Sequence, residues 1–212
     1  MSRGFFLVIE GPEGAGKSTL ARALVQRMTA RGLDVVAVRE PGGTPAAELA
    51  RQALLDPAHH LEPHTELLFV TSARAHLVQA VIRPALEAGR IVVSDRYDLS
   101  TMAYQSAGRG LPAETVRTVN RVATGGLEPD LMIVLDVTPE EGRRRQERMG
   151  KGSDRIEREG TEFHARVRAL YQSAAGPGVV HLDAAQPPEQ VLNQAWDLLT
   201  EARPETFPAE TG

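Results

Sequence analysis

Several features that would place this chain in other protein classes are missing from its 212 residues. It has no cysteine, which excludes disulfide frameworks, thiolate metal sites and cysteine nucleophiles. No apolar run approaches the ~18 residues that a membrane span needs. The apolar stretch near the N-terminus is also too short for a signal peptide. We therefore expect a cytoplasmic protein.

Lysine is nearly absent. Lys17 and Lys151 are the only two, so arginine supplies 22 of the 24 basic residues. Acidic residues number 28, so the formal net charge is −4, which argues against a general nucleic-acid coat. The apolar and charged fractions, 42% and 25%, exclude a disordered chain. The length predicts one domain over 1–202, and the polar stretch 203–212 with its two prolines predicts a mobile tail.

Short apolar segments alternate with helical patterns along the whole chain. The predicted strands are Phe5–Glu10, Val35–Val38, Ile91–Val93, Leu131–Leu135 and Val179–Leu182. The predicted helices cover 17–31, about 46–55, about 64–88, 112–124, about 160–173 and about 188–200. Residues 97–111 show no regular pattern. This alternation predicts an α/β fold, with a five-stranded parallel sheet covered by helices on both faces.

The carboxyl ends of parallel strands meet at one edge of the sheet, where such folds bind ligands. The residues at those ends are Gly11–Ser18, Arg39–Thr44, Asp95–Arg96 and Asp136. We therefore expect the functional residues at this edge, although Asp136 fits no assigned role and is interpreted as structural.

The segment Gly11–Ser18, GPEGAGKS, fits the phosphate-loop pattern G-x-x-x-x-G-K-[ST]. It lies between a strand and a helix, where backbone amides and the helix N-terminus can surround a phosphate. Lys17 is expected to reach the β- and γ-phosphates, and the Ser18 hydroxyl to complete a Mg²⁺ shell. The predicted triphosphate-binding residues are Gly11, Pro12, Glu13, Gly14, Ala15, Gly16, Lys17, Ser18 and Thr19.

Four stretches in this order carry a family resemblance: 9–18, the REPGGT of 39–44, the DRYDLSTMAYQ of 95–105 and the DRIE of 154–157. Together they resemble the bacterial thymidylate kinases. The resemblance implies a nucleoside-monophosphate-kinase fold and transfer of the γ-phosphoryl group of Mg-ATP to dTMP, giving dTDP. It also implies that the protein forms a homodimer. Its ligands are then the small molecules dTMP and ATP, and it binds neither nucleic acid nor membrane.

The implied chemistry calls for cations, because the acceptor is already a phosphate and needs no catalytic base. Two anions have to be held in line while their repulsion is screened, and the planar arginine fork suits that task. Arg39 and Arg96 are therefore assigned to the dTMP phosphate. Asp95 is expected to support Mg²⁺ together with Ser18, the alternative being a helix cap or an ion pair with Arg96. The resemblance places Glu13 near the acceptor sugar.

The resemblance also implies how the nucleoside is selected. Arg74 would bond thymine, with Thr101 and Gln105 closing its polar edge. Tyr104 would lie against the C2′ position and leave no room for a ribose hydroxyl.

One position departs from the family pattern. Members usually stack a phenylalanine on the base four residues before the arginine that matches Arg74, and Val70 stands there in this sequence. Its neighbour Phe69 points about 100° away on a helix. Either Val70 packs on the base or the helix register differs.

An arginine-rich segment, about 143–157, lies where the family carries a lid over ATP. Its glycines at 150 and 152 could serve as hinges. Gly14 stands where a related subclass has an arginine in the phosphate loop, so the missing cation is expected from the lid. Arg148 is the first candidate, with Arg143 and Arg155 behind it. The alternatives for this run are a solvated face or a nucleic-acid patch.

Two other functions stay open at this stage. One is a kinase for another nucleoside monophosphate or a deoxynucleoside, which the Arg39 motif and the Tyr104–Gln105 pair disfavour. The other is a phosphate-loop ATPase switch that transfers phosphate only to water. Such a switch needs a water-positioning residue and a partner surface. The sequence has no clear motif for the first and no exposed apolar stripe for the second.

Overall fold

A computed structural model describes residues 4–148 and 154–208 of the chain. Its centre is one sheet of five strands, all paired in parallel, in the order β2-β3-β1-β4-β5. The strands are β1 (Phe5–Glu10), β2 (Val35–Arg39), β3 (Ile91–Asp95), β4 (Leu131–Asp136) and β5 (Val179–Asp183). The predicted fold class is confirmed.

Helices connect the strands and cover both faces of the sheet. They are α1 (Lys17–Ala30), α2 (Pro45–Leu55), α3 (Pro63–Leu77), α4 (Arg83–Glu87), α5 (Asp98–Thr101), α6 (Ala113–Thr124), α7 (Pro139–Arg148), α8 (Thr161–Gln172) and α9 (Pro188–Ala202). Two π-helical stretches, Val78–Ile82 and Met102–Gly108, follow α3 and α5. None of the described helices is both long and apolar enough to cross a membrane.

The central strand β1 is buried on both faces, as its unbroken apolar sequence predicts. Phe5, Leu7 and Ile9 point into a core that α1 and α9 share. Phe6 and Val8 point into a second core formed with α3 and α8. This double burial holds the end of β1, and the phosphate loop that follows it, at the middle of the sheet edge.

The long helix predicted over 64–88 is interrupted by a π-helical stretch. Pro84 lies in the first turn of α4. Proline has no N–H to donate to the preceding turn, so the regular hydrogen-bond pattern cannot continue through it. The chain keeps its helical course by widening one turn, Val78–Ile82.

The expectation of an irregular region over 97–111 is wrong for Asp98–Gly108, which is helical. The start of this helix is held by a distant group. The Glu10 carboxylate accepts hydrogen bonds from the backbone N–H groups of Tyr97 and Ser100, at 2.7 and 3.1 Å. Because the capping carboxylate comes from β1, far away in the sequence, the residues around 97–100 give no sign of this helix start.

Residues 203–208, which the sequence predicts as the start of a mobile tail, are packed against the domain in the structure. Phe207 is fully buried, with its ring 5.1 Å from that of Phe5 and 6.0 Å from that of Trp196. The Phe207 ring anchors this otherwise polar segment, and the Trp196 Nε1 also donates to the Pro208 carbonyl oxygen at 3.3 Å. The rest of the predicted tail, 209–212, lies outside the described residues, as do the glycine hinges at 150 and 152.

Candidate active site

Two cavities of about 560 Å³ each border the phosphate loop. The first, here called the arginine cavity, is lined by Arg39, Arg51 and Arg96 and by residues from α3, the Met102–Gly108 stretch and 154–157. The second, the α7 cavity, lies between the phosphate loop and α7. Lys17 and Ser18 line both cavities, so two ligands bound in them would meet at these residues.

The glycines of the phosphate loop are required by close backbone contacts. Gly11 has φ +135°, and a Cβ there would lie 2.6 Å from the Leu135 carbonyl oxygen on β4. Gly14 has φ +75° and lies directly under the backbone of Gly142 in α7. The position where a related subclass carries an arginine is therefore covered by α7, so a side chain there would collide with it.

Lys17 is buried, and its ammonium group donates a 2.7 Å hydrogen bond to the Pro12 carbonyl oxygen. Burial and the nearby Arg96 guanidinium lower the pKa of Lys17 to about 8, although neighbouring carboxylates oppose this. The ammonium is thus held at the junction of the cavities, and its charge is sensitive to mildly alkaline pH.

Ser18 and Asp95 are brought together as the sequence predicts. The Ser18 hydroxyl donates to the Asp95 carboxylate, which ends β3. A hydroxyl and a carboxylate beside a phosphate site are the hard oxygen donors that Mg²⁺ prefers. Within 4–148 and 154–208, no group of three or more acidic or histidine side chains could hold a metal alone. Phosphate oxygens and water would have to complete the shell.

Arg96 lies at the centre of the site with an unusual backbone, φ +75°. One terminal nitrogen donates to the Gly11 carbonyl oxygen, Ser100 Oγ and Tyr171 Oη at 3.0–3.3 Å. The other donates to Glu13 at 3.4 Å and to Tyr104 Oη at 3.3 Å. Burial lowers the pKa of Arg96, but these tyrosines and acidic groups outweigh it and raise the pKa well above its ordinary value. The guanidinium is a fixed positive charge.

Glu13 and Tyr104 are in contact as well, since the Tyr104 hydroxyl donates to the Glu13 carboxylate. Burial raises the pKa of Glu13, but Arg96 and Lys17 outweigh that effect and lower it. Both residues line the arginine cavity. The Arg96 guanidinium carbon lies 5.2 Å from the centre of the Tyr104 ring. The side chains of Glu13, Arg96 and Tyr104 therefore all contact one another.

Glu10 has no role predicted from the sequence, although it is the only charged side chain of β1. It is completely buried. Besides the two backbone N–H groups near the start of α5, it accepts from Ser100 Oγ at 2.7 Å and from Tyr171 Oη at 3.1 Å. Burial raises its pKa despite the nearby Arg96. Glu10 thus fixes the segment that carries Arg96.

The arginine cavity holds a third arginine that was not predicted, Arg51 on α2. It donates to the Pro41 carbonyl oxygen at 2.8 Å, and burial together with Arg39 lowers its pKa. Arg39 is half exposed and bonds Glu48 at 2.9 Å. The helical register of α2, set by Thr44 accepting from the Ala47 N–H, brings Arg51 back towards the end of β2.

The residues predicted to recognise the base differ in where the structure places them. Val70, Thr101 and Gln105 are buried and line the arginine cavity. Phe69, included with Val70 among the predicted substrate contacts, is not among the lining residues of this cavity and packs partly into the second core. The helix therefore keeps the register that puts valine at the expected stacking position.

Arg74 is not placed to make the expected thymine contact directly. Its side chain is completely buried and makes four hydrogen bonds of 2.6–2.8 Å, and it is not among the residues that line the arginine cavity. The acceptors are Glu40, Thr101, Asn120 and the Tyr97 carbonyl oxygen. Burial raises the pKa of Glu40 to about 7. Arg74 lies behind Thr101 and supports this part of the cavity wall from outside.

Helix α7 carries the predicted lid arginines and borders both cavities. Arg148 and Arg145 line the α7 cavity. Arg145, not singled out by the sequence, bonds Glu141 and the Ala184 carbonyl oxygen, both at 2.7 Å. Arg143 is exposed and lines neither cavity. The α7 cavity also has apolar walls, from Leu20, Ala23, Leu135, Pro188 and Val191.

Arg155, the remaining lid candidate, is fixed in place by hydrogen bonds within the protein. Its Nε donates to the Leu54 carbonyl oxygen at 2.9 Å and a terminal nitrogen donates to Glu66 at 2.5 Å. These bonds fix the next residue, Ile156, as part of the arginine-cavity wall. Asp136 also matches its structural interpretation, because it bonds His181 at 2.8 Å.

Comparison with known proteins agrees with this arrangement. The family model described as thymidylate kinase matches residues 9–195. The chain is 43% identical over 204 residues to a thymidylate kinase of Deinococcus radiodurans, which covers 95% of this chain and 98% of the relative. It is 46% identical over 200 residues to a thymidylate kinase of Thermomicrobium roseum, covering 93% and 95% respectively. With the phosphate loop, the arginine cavity and these matches together, the chain belongs to the thymidylate kinase family.

Proposed function

We propose that this protein phosphorylates dTMP to dTDP, with ATP as the phosphoryl donor. The observation that carries the proposal is the pair of cavities that meet at Lys17 and Ser18. Direct transfer needs both nucleotides bound at once with their phosphates in line. ATP would occupy the α7 cavity and dTMP the arginine cavity.

Positive charge in the arginine cavity would hold the dTMP phosphate against its repulsion by ATP. Arg96 is fixed by its contacts before any ligand arrives, and Arg39 and Arg51 line the same space. Preorganised cations stabilise the charge of the transferring group without the cost of reorganisation. Lys17 would bind the donor β- and γ-phosphates.

The Ser18 hydroxyl and the Asp95 carboxylate would hold Mg²⁺. The ion would neutralise phosphate charge at the junction of the two cavities. Asp95 would act from the end of β3, one residue before Arg96, so the acceptor and metal sites would share one rigid segment.

The lid cation would come from α7. Arg148 is exposed at its end and lines the α7 cavity. Arg145 is tied to the Ala184 carbonyl oxygen, which suits it to border the donor base rather than to follow the phosphate. We expect Arg148→Ala to lower kcat by more than about tenfold. Arg143→Ala is the matched control, since Arg143 lines neither cavity. Turnover of Arg148→Ala within about twofold of wild type would exclude this role.

Deoxyribose selection would depend on Tyr104 and Glu13. The Tyr104 ring is held between the Glu13 carboxylate and Arg96, so it could not move aside for a 2′-hydroxyl. Val70 would pack on thymine with Thr101 and Gln105 at its polar edge, and Arg74 would act on the base through Thr101.

The proposal also includes a homodimer located in the cytoplasm. Three exposed apolar side chains support a second copy as the partner: Leu49 on α2, Leu68 on α3 and Val122 on α6, at 69%, 62% and 79% exposure. Helix α3 packs against both α2 and α6. Sedimentation of wild type and Val122→Asp tests this. The variant should sediment as a monomer at concentrations where wild type is dimeric.

A coupled assay of ADP release tests the function, with dTMP, dUMP, dCMP and AMP as acceptors. We expect dTMP to give the highest kcat/KM and release without acceptor to be negligible. Faster turnover of another acceptor would identify a different nucleoside-monophosphate kinase. ADP release at an equal rate without acceptor would identify an ATPase.

A further inference from the structure

Glu66 on α3 is a buried carboxylate for which the proposed function has no role. It has no exposed surface. Arg109 donates to it from Nε at 3.0 Å, and a terminal nitrogen of the same side chain lies 2.8 Å away. Arg155 donates at 2.5 Å. The fourth contact is from Gln105, whose Nε2 donates to Glu66 Oε2 at 3.3 Å.

This contact decides how the Gln105 side chain is turned. A carboxamide has a donor end and an acceptor end, whereas a carboxylate can only accept. Glu66 therefore binds the nitrogen of Gln105. Among the described residues, none donates a hydrogen bond to the Gln105 side-chain oxygen. Since Gln105 lines the arginine cavity, this oxygen is the polar atom that it presents there.

We propose that Glu66 is a positioning residue that selects keto pyrimidines by holding Gln105 with its acceptor oxygen towards the base. Thymine and uracil carry a hydrogen on N3 and can donate to that oxygen. Cytosine has a bare lone pair at N3, which would face the oxygen and repel it. The inference deepens the proposed function and rests on it, because it takes the arginine cavity as the dTMP site.

The surroundings of Glu66 explain why the orientation would be stable. Two guanidiniums from Arg109 and Arg155 fix its carboxylate. Val70 lies one helical turn further along the same face of α3 and also lines the cavity. Glu66 itself is not among the residues that line the cavity, so it orients Gln105 from behind the cavity wall.

The Glu66→Gln variant tests the proposal. The two arginines would keep the amide oxygen at position 66, so its nitrogen would face Gln105, which would then turn its own nitrogen towards the base. We expect the ratio of kcat/KM for dTMP to that for dCMP to fall by about 10- to 100-fold, the effect of one mispaired buried hydrogen bond. The ratio for dTMP to dUMP should stay unchanged, and kcat for dTMP should change less than KM.

Two control variants separate this role from simple loss of structure. Glu62→Gln removes an exposed carboxylate one turn earlier and should leave both ratios unchanged. Arg155→Gln removes a partner of Glu66 without touching Gln105. It should weaken all acceptors alike and preserve the ratio of dTMP to dCMP. An equal loss of that ratio in Arg155→Gln would overturn the proposal, as would an unchanged ratio in Glu66→Gln.

A rescue variant adds an outcome that a merely structural role would not produce. In Glu66→Gln/Gln105→Glu, the new carboxylate presents an acceptor oxygen to the base in either orientation, and thymine preference should return. If Glu66→Gln does not fold, a crystal of the wild type with dTMP decides. Base N3 should lie within about 3.2 Å of the Gln105 oxygen, and N3 contacting another group overturns the proposal.

The proposed function and the role of Glu66 are tested by different measurements. Wild type that prefers another acceptor over dTMP would refute the proposed function. The inference about Glu66 is judged instead by the change in selectivity between wild type and variant.

Discussion

Arg96 combines a left-handed backbone with a side chain held from several directions. A non-glycine residue at φ +75° adopts a conformation that costs free energy and persists where the surroundings impose it. Its N–H donates to the Ile9 carbonyl oxygen, and its carbonyl oxygen accepts from Ser94 Oγ at 2.7 Å. The backbone is thus fixed on both sides, and the guanidinium is directed into the cavity.

Replacing Arg96 by lysine should show that its shape matters as well as its charge. Lysine keeps the charge but cannot share two planar nitrogens among its present partners. We expect kcat to fall by about 10²- to 10³-fold, as when a preorganised donor to the transition state is lost. Steady-state kinetics would measure it. Arg90→Lys, at an exposed pair with Asp34, is the control. An Arg96→Lys enzyme changed only in KM would contradict the assignment.

The lowered pKa of Lys17 predicts how ATP binding should depend on pH. Its pKa is lowered to about 8, so the ammonium that binds phosphate is lost as pH rises through about 8. ATP affinity measured by calorimetry should therefore be steady from pH 7 to 7.5 and fall above pH 8.

The Lys17→Met variant is the control for this titration. It should bind ATP more weakly and lose the decline above pH 8. Wild-type affinity that stays level up to about pH 9.5 would be at odds with a titrating Lys17, since its ammonium would by then be mostly neutral at the lowered pKa.

Among the elements, α7 is distinguished by how closely it packs on the phosphate loop. Gly142 is buried, and a Cβ there would lie 3.0 Å from the Glu13 carbonyl oxygen. Two glycines, Gly14 and Gly142, let the helix and the loop touch through their backbones. Arg145 and Arg148 are placed beside the loop as a result.

The variant Gly142→Ala should separate stability from ATP binding. Alanine in a helix interior raises stability by about 0.5–1 kcal/mol over glycine. The added methyl group would nevertheless push α7 away from Glu13 by a few tenths of an ångström. We expect KM for ATP to rise by roughly three- to tenfold, while the melting temperature stays level or rises.

Gly160→Ala is the matched control, because nothing lies within 4 Å of a Cβ at that position. It should leave KM for ATP unchanged. An unaltered KM in Gly142→Ala would mean that α7 tolerates the shift and that its close packing does not matter for ATP.

At the scale of the whole molecule, the C-terminal segment closes the core that begins with β1. Phe207 contacts Phe5 at the start of the chain and Trp196 on α9. Arg203 lies over the Phe5 ring, 5.0 Å from its centre. The two ends of the described chain are therefore joined on the face of the sheet opposite the arginine cavity residues of α3.

Removing the Phe207 ring should destabilise the protein without altering catalysis. We expect Phe207→Ala to lower the free energy of unfolding by about 3–5 kcal/mol, the usual cost of emptying an aromatic core position. Urea denaturation would measure it, with Glu205→Ala at an exposed site as control. A loss below about 1 kcal/mol would show that 203–208 is docked only weakly.

The element order and the contents of the phosphate loop were predictable because they depend on local patterns. Alternating apolar runs and helical spacing identified all five strands. The motif identified Lys17 and Ser18, and strand ends identified Asp95 and Arg96. The helix over Asp98–Gly108 and the docking of Phe207 were missed, because each depends on a partner far away in sequence, Glu10 in one case and Phe5 in the other.

What the sequence determined by itself is the class of fold and the types of residue at the sheet edge, since periodicity and strand ends are properties of neighbouring residues. Only the tertiary structure decided which arginines face a cavity. Arg74 and Arg155 form ion pairs with buried carboxylates. Arg51 and Arg145, in contrast, line the two cavities. The reason is that a guanidinium's role depends on which acceptors surround it, and those acceptors come from elements far apart in the chain.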